Sequence, residues 1–64
     1  MTVKELMSRK NLTKKDITIY FKENKKLFDG NNIDEFLDRE MQEFHFYGEW
    51  NDNNEINLKC ACVI

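Results

Sequence analysis

One imidazole and two thiols are the side chains best suited to nucleophilic chemistry or soft-metal binding: His45, Cys60 and Cys62. A nucleophile needs a base beside it. His45 lies between Phe44 and Phe46. Alternation along an extended chain puts it on the face opposite Phe46 and Trp50. Cys60 and Cys62 share the face of Ile56 and Leu58. Imidazole and thiol meet only if the strands slip by one residue. A structural zinc site takes four N or S ligands, usually with Cys-x2–4-Cys spacing. Cys60-x-Cys62 is tighter than that, and only His45 adds a third donor. On a strand the two cysteines lie ~6.5–7 Å apart along one face. That spacing suits a disulfide poorly. They read as small apolar core residues kept reduced. The expectation is a non-enzymatic chain with no metal and no cofactor.

Charge is the stronger signal. Residues 1–29 hold eight basic and four acidic side chains, a net +4. Residues 30–64 hold two basic and eight acidic ones, a net −6. Opposite-signed halves give a small domain a large dipole, which steers and orients partners. The acids Asp34, Glu35, Asp38, Glu40 and Glu43 sit close together, and Glu49, Asp52 and Glu55 continue them. Paired acids for hydrolysis need distinct environments inside a cleft, which a chain this short has little room to build. Gly30 and Gly48 are isolated and belong to no phosphate-binding loop.

The elements that position these groups follow from caps and periodicity. Thr2 with Glu5 makes a capping box, and Val3, Leu6 and Met7 share one helical face. Thr13 and Asp16 open a second helix, with Leu12 and Ile17 at staple spacing. Ile17, Tyr20, Phe21, Leu27 and Phe28 form its apolar stripe. Gly30 stops it. Ile33, Phe36, Leu37, Met41 and Phe44 mark a third helix starting after Asn32. Beyond Phe44 the period changes to two: Phe46, Gly48 and Trp50, then Ile56, Leu58, Cys60, Cys62 and Ile64. Asn51-Asp52-Asn53-Asn54 is the turn between them. The spacing predicts one α+β domain over 1–64. It has three short helices, over about 3–10, 14–28 and 33–44, followed by a C-terminal two-stranded antiparallel β-hairpin over about 45–63.

No run approaches the ~20 apolar residues of a membrane span. The opening MTVKELMSRK carries charge where a signal peptide is apolar. The expected location is cytoplasmic. The opening MTVKEL and the following NLTKKDI resemble the start of small helix-turn-helix and excisionase-type regulators, over about seventeen residues. The resemblance implies DNA binding, with the hairpin as a wing. The helix meant for the groove would then carry five acids and one arginine, which phosphate repels. Nucleic acid would have to meet Lys14, Lys15, Lys22, Lys25 and Lys26 on the second helix. Binding through the acidic and aromatic side fits better. It uses Asp34, Glu35, Asp38, Glu40, Tyr47, Glu49 and Trp50 against a protein with a basic surface. The function expected is a small regulator or inhibitor, of the kind phages and mobile elements encode. An edge strand over Ile56–Ile64 would also invite a two-fold homodimer.

Overall fold

The computed structural model describes all of residues 1–64. Helix α1 spans Val3–Lys10. The Thr2 hydroxyl accepts from the Glu5 backbone N–H at 3.1 Å. The Thr2 N–H donates in return to the Glu5 carboxylate at 3.1 Å. These bonds to Thr2 hold the Glu5 carboxyl below its usual range. Val3 and Leu6 form the buried face. Asn11 ends the helix in the left-handed region at φ 54°.

The helix expected over 14–28 does not form. Its start signal acts locally, since Thr13 N–H donates to the Asp16 carboxylate at 3.0 Å. It opens only a single 3-10 turn, Lys14–Asp16. Strand β1, Ile17–Tyr20, follows. The reason lies in Ile17, Thr18 and Ile19. β-Branched side chains lose rotamer freedom in a helix and pack well on a sheet. Ile19 falls outside the helical stripe, yet it is fully buried. A turn with Lys25 at φ 58° leads to β2, Leu27–Asp29.

The helix expected over 33–44 is also replaced. Gly30, at φ 57°, opens a 3-10 segment that ends at Phe36. Continuing the helix would need the Leu37 carbonyl to accept from the Met41 N–H. The open N-terminus of α1 takes it instead: Lys4 N–H donates to the Leu37 carbonyl at 2.9 Å, and Val3 N–H to that of Arg39 at 3.3 Å. Met41 N–H turns to the Met1 carbonyl at 3.1 Å. One segment thus closes the helix end that would otherwise lack partners.

Strands β3, Glu43–Trp50, and β4, Ile56–Val63, form a hairpin, but not an isolated one. The chain therefore builds one α-helix, two 3-10 segments and a four-stranded mixed sheet, in place of three helices and a two-stranded sheet. The strand order is β2-β1-β4-β3. β1 and β4 pair in parallel, Ile17 with Cys60 and Ile19 with Cys62. The two outer pairs are antiparallel. β1 pairs with β4 over Cys60–Val63, so the expected dimerisation edge over Ile56–Ile64 is covered there and open on that side only over Ile56–Lys59. β3 is the edge that is open along its whole length.

Only one face of the sheet is roofed. Ile17, Ile19, Cys60 and Cys62 meet Val3, Leu6 and Ile33 there. Phe21, Phe28 and Phe36 close one side, with ring centroids 4.9–5.6 Å apart. The opposite face carries Thr18, Tyr20, Leu27, His45, Tyr47, Lys59, Ala61 and Val63 by register. Of these only Val63 is buried, at 8% exposure.

Candidate interaction surface

All eight residues of β3 are exposed. On the α1 side, Phe44, Phe46, Gly48 and Trp50 stand opposite Cys62, Cys60, Leu58 and Ile56. The roof covers this row only at the cysteines. Beyond them the same face stays open: Phe44 is 38% exposed, Phe46 40%, Leu58 49%, Ile56 62% and Trp50 66%. The Lys10 ammonium stands 5.7 Å from the Phe46 ring centre, at the base of this strip. Asp52 and Glu55 flank its tip, in the turn between the strands. Asn51 shapes that turn, its side-chain carbonyl accepting from the N–H groups of Asn53 at 2.9 Å and Glu55 at 3.0 Å. The strip is an apolar row with an ammonium at one end and carboxylates at the other.

Gly48 keeps the row tight. A Cβ there would lie 2.7 Å from the Ile56 Cγ2, a methyl fixed on a β-branched carbon. Gly48→Val should cost about 1 kcal/mol, because the Ile56 side chain, diagonal to it across the pair, must shift. Ile56→Ala should relieve most of that cost in a double-mutant cycle read by urea denaturation. Additive effects would show that the two sites do not touch.

The acids do not form one helical face. Asp34 and Glu35 lie on the second 3-10 segment, which packs on β1 and β2, across the sheet from β3. Asp34 is paired with Lys14. Asp38 lies in the turn that follows. Glu40 bridges to Thr2 and holds the Met1 ammonium at 2.7 Å, and this bond keeps that amine protonated above its ordinary range. Glu49 and Tyr47 stand on the open face of the hairpin. Trp50 stands on the other face. The structure thus brings Tyr47, Glu49 and Trp50 onto one projecting element and leaves Asp34, Glu35, Asp38 and Glu40 elsewhere.

The basic residues are dispersed too. Lys14 and Lys15 precede β1, whereas Lys22, Lys25 and Lys26 follow it. With no second helix, they share no helical face. The Lys59 ammonium donates to the Lys15 carbonyl at 2.7 Å, tying β4 to the first 3-10 turn.

His45 is opposite Ala61, so the sheet separates it from both thiols. Its imidazole lies 3.7 Å from the Glu43 carboxylate. Cys60 and Cys62 are fully buried. Burial pushes the Cys62 thiol up to about 12, with the neighbouring Cys60 adding to it. It pushes Cys60 up as well. A thiol held protonated in a core is a poor nucleophile and a poor metal ligand. No three His, Cys, Asp or Glu side chains converge as a metal site would require. No helix is long and apolar enough to cross a membrane.

The sequence marks Phe44 and Phe46, with Tyr47 and Trp50, as an aromatic run suited to an interface, but it does not mark Ile56 and Leu58 as surface. Their alternation was visible. The reach of α1 over that row was not, because it depends on how the helix sits on the sheet.

Comparison with protein-family models, curated proteins and solved structures returns no match.

Proposed function

We propose that this chain is a non-enzymatic interaction module acting in the cytoplasm, a regulator or inhibitor that grips a macromolecular partner with its β3–β4 hairpin. The observation that carries this reading is the exposed row Phe44, Phe46, Trp50, Ile56 and Leu58 on one face of that hairpin. A solvated face of an antiparallel pair is normally polar. Aromatic side chains gathered on such a face are the usual anchors of interfaces. The carboxylates Glu49, Asp52 and Glu55 around the tip favour a protein whose apolar contact patch is bordered by basic groups. The divided lysines give nucleic acid no comparable surface.

Capture from extract of the native host tests this. The wild-type chain is expected to retain a specific protein. Trp50→Ala should weaken that retention by about thirtyfold or more, the effect of a hot-spot residue. The double variant Asp34→Ala, Glu35→Ala should leave it unchanged. Equal retention by wild type and Trp50→Ala would refute the hairpin as the contact.

A further inference from the structure

We infer that the outer edge of β3 binds the β3 edge of a second copy of this chain, antiparallel, about a two-fold axis midway between the two copies of Tyr47. This rests on the reading of the hairpin as a contact surface and names one occupant for its edge.

Edge strands are usually kept short, charged, bulged or interrupted by proline, because their free N–H and C=O groups template pairing. β2, the other edge, has three residues. β3 has eight. It pairs with β4 in unbroken register from Glu43–Val63 to Trp50–Ile56, without a bulge. It contains no proline and no lysine.

The sequence of this edge complements itself. With the axis normal to the sheet, both copies keep their roofed faces on the same side. Residues opposite one another must then come from the same face, so the axis passes midway between the two copies of one residue. Centred on Tyr47, Phe46 faces the second copy's Gly48, His45 faces its Glu49 and Phe44 faces its Trp50. Each pair occurs twice. An aromatic ring lies over a bare glycine, an imidazole meets a carboxylate, and two aromatic rings adjoin. Gly48 brings no side chain of its own to that contact, and the ring would also meet the Ile56 Cγ2, which lies 2.7 Å from where a Gly48 Cβ would be. Centring on Phe46 sets Glu43 against Glu49, twice. Centring on Gly48 sets Phe44 against Asp52 and leaves two glycines opposed. Of these three registers, the one centred on Tyr47 satisfies charge and shape together. The four-stranded sheet would then run on into its copy, and the two apolar rows would join on one face.

Cysteine placement along β3, in the full chain, reads the register. Tyr47→Cys should form a disulfide-linked dimer under diamide, since the two Cα atoms would lie ~4.5–5.5 Å apart. His45→Cys and Glu49→Cys should not link to themselves, but a mixture of the two should. The buried Cys60 and Cys62 should stay out of the reaction. In sedimentation the wild type should approach twice its 7.8 kDa. Glu49→Lys should weaken association about tenfold, and His45→Glu in the same chain should restore it. A monomer up to about 1 mM, the range of non-specific contact, would overturn the inference. So would self-linking at His45→Cys or Glu49→Cys in preference to Tyr47→Cys. A monomer that still captures a foreign protein through Trp50 would overturn this pairing alone. A dimer with the Tyr47 cross-link that captures nothing else would uphold it while removing the foreign partner.

Discussion

Ile19→Ala is expected to leave most of the chain unfolded at room temperature. Ile19 is fully buried in β1, with Phe28 of β2 on one side and Cys62 of β4 on the other. Only eight residues of the chain are buried, so each side chain in that set carries a large share of the core. Truncating a buried isoleucine costs about 2–5 kcal/mol, from lost transfer energy plus the cavity left behind. A single core in a domain of this length rarely supplies more than about 3–5 kcal/mol. The loss is therefore comparable to the whole. Ile56→Ala removes the same atoms from the same face of the sheet, at a site left 62% exposed. It should change stability by only about 0.5 kcal/mol. Urea denaturation followed by far-ultraviolet circular dichroism measures both. Equal effects at the two positions would mean that β1 is not the centre of the core.

The second large effect is loss of stability in alkali. Burial raises the Cys62 thiol to about 12. The unfolded chain gives up that proton from about pH 9, near the ordinary thiol range. Between those values the unfolded state binds fewer protons than the folded state, so stability falls as pH rises. Below about pH 9 both forms keep the proton and this group contributes no pH dependence. The slope reaches at most about 1.4 kcal/mol per pH unit for one group. Cys60, shifted in the same direction, steepens it. Urea midpoints at neutral pH and at about pH 10.5 should therefore differ strongly for the wild type and less for Cys62→Ala. A wild-type midpoint that does not move would contradict the buried, protonated thiols. Ellman's reagent gives a parallel readout, because thiols in a closed core react only when it opens.

The features legible in the sequence are those set by neighbours. Thr2 and Glu5 form their capping box, Asn51–Asn54 make the turn, and the period-two rows on either side become β3 and β4. What was not legible depends on distant partners. Ile17–Tyr20 forms a strand because β4 offers it a parallel neighbour, a pairing that no local pattern encodes. The segment after Phe36 leaves helical geometry because the N–H groups of Val3 and Lys4 claim its carbonyls. The site was legible in part. Tyr47, Glu49 and Trp50 do project together on the hairpin. Asp34, Glu35, Asp38 and Glu40 were grouped with them by a helical face that does not exist. The separation of charge along the chain is also blunted in space. Lys14 meets Asp34, and Glu40 meets the amino terminus.

The side-by-side run of β1 and β4 also governs the order of assembly. Residues 17–20 cannot settle until residues 60–63, 43 positions further along the chain, arrive beside them. The β3–β4 ribbon closes through its own short turn, at a lower entropic cost. Folding is therefore expected to pair the ribbon, with its exposed aromatic strand, before the centre fills. Such a stage is prone to association, so the yield of refolding is expected to fall as the concentration of chain rises.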